Sequence, residues 1–245
     1  MVTFFLLLVF ICRKSITFTP MKQAEIPEMP GMRRRAMAID IIKANKVALW
    51  VLLGSLVLFG GLFLLVWGWN HIAQGFSERY GEGASSWQFL IDWCVIMVIM
   101  VAGVVLHELI HGITWACYAR RGFRAISYGV IWKMLTPYTH CDEPMHIRPY
   151  VVACLMPGIV LGVIPSIVSI VIGWVPLLVF GIFFIAGAMG DVLIVWMLRK
   201  DDPQSMVLDH PTEPGYFIYE PEPSTLNPQN YEFHKFTNSD CTHDP

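Results

Sequence analysis

Two histidines and a glutamate stand at the end of a long apolar stretch, in the order His107-Glu108-Leu109-Ile110-His111. Residues four apart lie on one face of a helix, about one turn from each other, so both imidazoles can bind one metal ion. Glu108 points away from that ion but can reach a water molecule bound to it. This spacing predicts His107 and His111 as zinc ligands and Glu108 as the base that takes the proton of the water.

A catalytic zinc site takes three protein ligands, and Asp191 is the strongest candidate for the third. One class of zinc protease would continue the motif with a glycine and a histidine where this chain has Thr114 and Cys117. Another class uses a downstream glutamate, but the next one, Glu143, lies in a polar loop. Asp191 is the only charged residue inside a late apolar segment. Alternatively, Asp191 could form a structural hydrogen bond to another helix.

The positions of these residues along their helices support the same three zinc ligands. His111 lies nine residues before Arg120, and Asp191 lies eight residues before Arg199. Along a helix these separations are about 13 and 12 Å. If both helices run in the same direction, the three ligands lie at one depth, near the cytoplasmic end of the membrane.

The composition predicts a membrane protein. Of 245 residues, 55% are hydrophobic and 15% are charged, and the mean hydropathy is +0.54. Four segments reach the length of about 20 residues that crosses a bilayer. We therefore expect an all-α polytopic membrane protein with about four transmembrane helices. The segments are Val47–Trp69, Phe89–Leu106, Tyr150–Val175 and Pro176–Leu198.

Lysine and arginine are concentrated before the first segment, in the second loop and directly after the fourth segment. The positive-inside rule then places both termini in the cytoplasm of a multi-pass protein of the cell (inner) membrane. We divide the chain into an N-terminal cytoplasmic segment (1–46), a four-helix membrane domain (47–198) and a cytoplasmic tail (199–245). The tail is rich in proline and acidic residues, and we expect it to lack a core of its own. It could dock on the membrane domain or on a partner.

The loop between the second and third segments, residues 122–144, alternates aromatic and β-branched residues and predicts one or two short strands. Its polar residues could bind metal or could simply be solvated, and His140 or His146 could stabilise an oxyanion. These residues are Tyr138, His140, Cys141, Asp142, Glu143 and His146. The third segment contains Pro157, Gly158, Gly162 and Pro165, which indicate either ordinary helix packing or a kinked gate.

Three stretches together resemble a known family. They are "HELIHG" (His107–Gly112), "LMPGIVLGVIP" (Leu155–Pro165) and "GAMGDVLI" (Gly187–Ile194). The chain resembles a bacterial membrane family of unknown function described as zincin peptidases, which is similar to the site-2 proteases. The resemblance covers roughly Trp87 to Tyr219. It implies the same zinc ligands, His107, His111 and Asp191, with Glu108 as the base.

The chain departs from the site-2 proteases at the third ligand. Those enzymes usually have Asp-Gly at this position, whereas here Gly190 precedes Asp191 and Val192 follows it. The metal site is therefore better supported by the resemblance than the substrate is.

These features predict a zinc-dependent endopeptidase, embedded in the lipid bilayer, that cuts membrane-associated proteins or peptides near the cytoplasmic face. The alternative is a zinc-binding membrane sensor or scaffold of protease ancestry, for which an intact Glu108 would be unnecessary. The six cysteines form no CxxC pair, which argues against a disulfide framework. The sequence has no basic-aromatic face for nucleic acid, and it leaves the oligomeric state open.

Overall fold

The computed structural model describes residues 27–83, 85–131, 136–210 and 215–222. Strand β1 (Met32–Ala38) comes first, followed by helix α1 (Ile41–Ser55), a π-helical turn (Leu56–Gly60) and helix α2 (Gly61–Tyr80). The carboxylate of Asp40 caps α1 by accepting from the backbone N–H groups of Ile42 and Lys43. The path bends at Gly68, whose φ of 73° and ψ of 167° are not helical. Glycine adopts this positive φ without the strain that a Cβ would add.

Helix α3 (Ser86–Tyr118) is 33 residues long and carries the HExxH sequence near its C-terminal end. The Ser85 hydroxyl begins it by accepting from the Trp87 N–H. At this end of α3, the Asp92 carboxylate accepts hydrogen bonds from the side chains of Arg79 and Tyr80. These hydrogen bonds tie the N-terminal end of α3 to the C-terminal end of α2.

A β-hairpin follows α3, as the loop composition predicts. Strands β2 (Ile126–Ile131) and β3 (Thr136–Cys141) are antiparallel, and Tyr128 lies opposite Thr139. Gly129 leaves room for the ring of Tyr138, which a Cβ at position 129 would overlap. The hairpin packs against the C-terminal half of α3.

The next helices are apolar and follow the hairpin. After strand β4 (Met145–His146) come helix α4 (Ile147–Pro157), a π-helical turn (Gly158–Val163) and helix α5 (Ile164–Ile172). Helix α6 (Val175–Gly187) and helix α7 (Met189–Leu198) then form a pair bent by 41°. Gly162 and Gly181 let α6 pack closely on the turn after α4.

Three helical stretches are long and apolar enough to cross a membrane, and the bent pair α6–α7 makes a fourth if it counts as one span. The three stretches are Ile42–Tyr80, Trp87–Tyr118 and Ile147–Ile172. The structure is therefore compatible with the predicted polytopic membrane protein. The all-α description was too narrow, since the chain also builds a sheet from distant segments.

That sheet has the strand order β1-β6-β5-β4, where β5 is Met206–Asp209 and β6 is Gly215–Pro221. All of its strand pairs are antiparallel. Val207 and Ile218 are fully buried and join a cluster that also contains Trp115 and Tyr150 of the helices. Residues 206–209 and 215–221 of the tail therefore dock on the rest of the chain, because these strands share a core with the helices.

The division at residues 46 and 198 stays a prediction, although the sheet takes strands from each of the three segments. Residues 1–26 and 223–245 lie outside the described residues.

Candidate metal centre

The structure brings His107, His111 and Asp191 together into a cluster of three groups that could hold a metal ion. The Nε2 atoms of His107 and His111 lie 3.3 Å apart. Asp191 Oδ2 is 3.3 Å from the Nε2 of His107, and its Oδ1 is 3.4 Å from the Nε2 of His111. The two histidines come from one turn of α3, and Asp191 comes from the first turn of α7.

These distances fit a tetrahedral zinc ion. Zinc binds histidine nitrogen and carboxylate oxygen at about 2.0–2.1 Å, which places tetrahedral donor atoms about 3.3–3.4 Å from one another. Two neutral imidazoles and one carboxylate are also a donor set that zinc accepts, with a fourth position left for water. The three side chains are therefore close enough together to act as zinc ligands.

His111 is held in the tautomer that a metal ligand needs. Its Nδ1 lies 2.9 Å from the backbone oxygen of Ala153 on α4. That oxygen can only accept, so Nδ1 carries the proton and Nε2 keeps its lone pair for a metal. The ring also stacks on Trp115, with centroids 5.4 Å apart and planes at 21°. Both contacts fix its orientation.

His107 also packs against an apolar neighbour. Its ring lies over Phe184 of α6, with centroids 6.4 Å apart and planes at 29°. Phe184 in turn fills a notch over Gly103, which lies one turn before His107 on α3. Phe184 is only 2% exposed, so it is a buried apolar neighbour of the cluster.

The bend between α6 and α7 brings Asp191 to the histidines. Ala188 leaves helical geometry with φ −76° and ψ 6°, so Asp191 falls in the first turn of α7, where a carboxylate is favoured by the helix dipole. Gly158 allows Ala188 to come close, since a Cβ at position 158 would lie 3.0 Å from the Cβ of Ala188. Gly187 and Gly190, which precede Asp191, have no neighbour within 4 Å of an added Cβ.

Glu108 faces the hairpin on the neighbouring side of α3. The Thr139 hydroxyl of β3 lies 2.9 Å from Glu108 Oε2 and 2.8 Å from the Glu108 backbone oxygen. The hydroxyl donates to this pair of acceptors and so holds both the side chain and the main chain of Glu108. The predicted base therefore sits beside the cluster with a fixed carboxylate.

Tyr128 lies one helical turn further along the same face. Its hydroxyl end packs directly on Gly112, where a Cβ would overlap it. Burial, and then the charge of Glu108, raises the pKa of Tyr128 above its usual value, so the phenol stays protonated and can donate. Tyr128 and Thr139 are cross-strand partners and both face α3.

The other polar residues of this loop make contacts away from the cluster. Glu143 accepts from the backbone N–H groups of Arg120 and Arg121, beyond the end of α3. Asp142 pairs with the Arg121 side chain. Burial raises the pKa of the Cys141 thiol to about 12, so Cys141 stays a neutral thiol. These contacts fit structural roles.

The two histidines of this loop also lie outside the cluster. His140 is buried, with its Nδ1 3.9 Å from Asp209 Oδ2. His146 is exposed at the start of α4. Among the described residues, the structure therefore gathers only His107, His111 and Asp191 as a candidate metal site.

Sequence reasoning missed four residues that shape the centre. Thr139 and Tyr128 belong to a hairpin whose docking on α3 no local pattern reveals. Trp115 lies four residues after His111, a spacing that could have indicated the stacking. The Ala153 carbonyl carries no side-chain signal at all.

A family model described as "Putative zincin peptidase" matches residues 100–206. This match confirms the resemblance read from the motifs, and the matched residues include His107, His111, Glu108 and Asp191. The family description indicates a zinc metallopeptidase. No curated protein and no solved structure matches the chain.

Proposed function

We propose that the protein is a membrane-embedded, zinc-dependent endopeptidase that hydrolyses peptide bonds of membrane-associated proteins near the cytoplasmic face. The observation that carries this proposal is the pairing of a three-ligand cluster with Glu108. The cluster has donor atoms 3.3–3.4 Å apart, and Glu108 is held next to it by Thr139. A site that only bound metal would have no use for a fixed carboxylate beside the ligands.

The residues divide the work as follows. His107, His111 and Asp191 would hold zinc, which when bound lowers the pKa of a water molecule and polarises a carbonyl group. Glu108 accepts the proton of that water and passes it to the leaving amine. Thr139 keeps the carboxylate of Glu108 in place for both transfers. The hydroxyl of Tyr128 is a candidate donor to the carbonyl oxygen of the substrate.

The position of the cluster supports a membrane-associated substrate. His107 and His111 lie in the C-terminal part of an apolar helix of membrane-spanning length. Arg120 and Arg121 follow this helix directly, and the positive-inside rule assigns such an end to the cytoplasm. The charge pattern favours the same side for both termini, in a protein of the cell (inner) membrane. This arrangement is similar to that of the site-2 proteases.

The hairpin offers a way to hold an unfolded stretch of substrate. A peptide bond inside a helix is shielded, so the substrate must become extended before hydrolysis. Among the described strands, β2 pairs with β3 alone, so the other edge of β2 presents backbone groups for a further strand. Thr139, on the partner strand, contacts Glu108. An extended substrate on that other edge of β2 would lie one strand away from Thr139 and alongside Tyr128, which packs on Gly112 one turn from Glu108.

The test compares wild type, Glu108→Gln and Glu78→Gln, each produced in cells that lack the native protein. Glu78 is an exposed glutamate of α2 and controls for the same chemical change. We expect all three proteins to carry zinc. Mass spectrometry of membrane proteins should detect new N-termini with wild type and Glu78→Gln but not with Glu108→Gln. Zinc without any Glu108-dependent cleavage would favour the sensor or scaffold, and absence of zinc would contradict both functions.

A further inference from the structure

A buried carboxylate lies just beyond the segment that the family model matches. Asp209 ends β5 and is 8% exposed. Its Oδ1 accepts from the Tyr150 hydroxyl at 2.5 Å, and its Oδ2 accepts from the Cys141 backbone N–H at 3.1 Å. Charge-assisted hydrogen bonds of this kind are stronger and more directional than neutral ones. Asp209 thus joins three elements that are far apart in sequence, namely β5, α4 and β3.

The sheet fixes the position of Asp209. Strand β5 lies between β6 and β4, and Asp209 is paired with Tyr216 of β6. Val207, two residues earlier, is fully buried, as is Tyr216. The carboxylate is therefore presented by a packed sheet whose strands come from the N-terminal segment, the loop after β3 and the tail.

One connection runs from Asp209 through α4 to the metal ligands. Tyr150 packs its ring on Trp115, with centroids 5.6 Å apart, and Trp115 stacks on His111. One turn after Tyr150 on the same helix, the Ala153 oxygen accepts from His111 Nδ1. The hydrogen bond to Asp209 therefore fixes the helix that orients His111.

A second connection runs through β3 to the base. Cys141, whose N–H binds Asp209, is the last residue of β3. Thr139, which holds Glu108, lies two residues earlier on the same strand. The hydrogen bond to Asp209 therefore anchors the end of the strand that positions Glu108.

We propose that Asp209 is a positioning residue that holds the supports of His111 and Glu108 in register with each other. The hydrogen bonds described for Asp209 go to Tyr150 and Cys141, and it acts through these two residues. The sheet is then part of the catalytic unit, because its strand β5 supports the residues that position His111 and Glu108. This inference rests on the proposed zinc site.

The test uses Co²⁺, which occupies nitrogen and oxygen zinc sites and absorbs visible light according to its coordination. Purified full-length wild type, Asp209→Asn and Asp202→Asn are titrated with Co²⁺ against a competing chelator. Asp202 is an exposed aspartate of the loop before β5, so its variant is a matched control. Residues that support metal ligands typically change affinity by about 10–100-fold. We expect Asp209→Asn to bind Co²⁺ about tenfold more weakly with an altered spectrum, and Asp202→Asn to behave as wild type.

A merely structural role would lower the melting temperature of Asp209→Asn and leave the affinity and the spectrum unchanged, and that result would overturn the inference. If Asp209→Asn does not fold, Tyr150→Phe decides, since it removes one hydroxyl and keeps the ring. Weaker Co²⁺ binding by Tyr150→Phe would support the inference, and wild-type binding would overturn it. Failure of the wild type to bind Co²⁺ would instead reject the zinc site itself.

Discussion

The Thr139 hydroxyl of the hairpin lies 2.9 Å from the carboxylate of Glu108 and 2.8 Å from its backbone oxygen. Thr139 lies 31 positions after Glu108 in the sequence, so its hydroxyl links the predicted base on α3 to a separate strand. The carboxylate is thereby fixed beside the cluster of His107, His111 and Asp191 before any substrate arrives. The hairpin therefore helps to position Glu108 in the candidate centre.

Thr139→Val should keep the metal and lose most of the activity. Valine has nearly the same shape but no hydroxyl. Among the residues that the structure describes, Glu108 therefore loses the side-chain hydrogen bond that holds its carboxylate. We expect turnover to fall by about 10–100-fold and zinc content to stay at the wild-type level. Turnover is measured on a peptide spanning a cleavage site found with the wild type.

Thr114→Val is the matched control for that change. The Thr114 hydroxyl donates to the Ile110 oxygen within α3, so its loss should leave turnover near wild type. Equal losses in both variants would show that the effect is a general one on α3.

Tyr128→Phe should slow the chemical step with little effect on substrate binding. The hydroxyl end of Tyr128 packs on Gly112, one turn from Glu108, and is the donor that we propose for the developing oxyanion. Removal of one such donor typically lowers kcat by about a hundredfold. Steady-state kinetics should show a lower kcat and a similar KM. Tyr138→Phe is the control, and a matching loss there would contradict a role for the hydroxyl of Tyr128.

Gly158→Ala should weaken the metal site through packing alone. The added methyl would lie 3.0 Å from the Cβ of Ala188 and push away the bend that carries Asp191. Overpacking of this kind costs about 1–3 kcal/mol. Gly187→Ala adds the same methyl into open space and should retain wild-type stability and Co²⁺ affinity. Melting temperature and Co²⁺ titration test both variants, and equal behaviour would count against this packing.

Cys141 should resist alkylation at pH 8 while Cys117 reacts. Burial raises the pKa of Cys141 to about 12, so only about one thiol in ten thousand is ionised at that pH. Cys141 is also 1% exposed, whereas Cys117 is exposed. Mass spectrometry after treatment with iodoacetamide reports both sites. Rapid labelling of Cys141 in the folded protein would show that β5 does not cover β3.

The features that could be predicted from the sequence are those set by local spacing. The four-residue separation of His107 and His111 on a helix determines their shared face. The similar depth of His111 and Asp191 was predicted from the helix rise and from the distance of each residue to the arginine that follows its helix. The hairpin was visible as alternation in residues 122–144. Each of these inferences uses neighbours along the chain.

The sheet and the supports of the site depend on contacts between distant residues. Strand β1 pairs with β6, whose residues lie more than 170 positions away, with Ala38 opposite Gly215. Both strands are too short for their sequences to show which strand each one pairs with. The proline-rich composition of the tail also indicates disorder. The roles of Thr139, Ala153 and Asp209 arise only when the hairpin, α4 and β5 meet. No pattern within one segment contains that information.

The most direct test of the metal centre is the zinc content of the purified protein. Wild type, Asp191→Ala and Asp202→Ala are purified in detergent, and bound metals are measured by mass spectrometry. The geometry of the three ligands predicts about one zinc per chain in wild type, the same in Asp202→Ala, and little or none in Asp191→Ala. Full zinc occupancy in Asp191→Ala would contradict the assignment of Asp191, and a wild type without zinc after zinc is supplied would contradict the site as a whole.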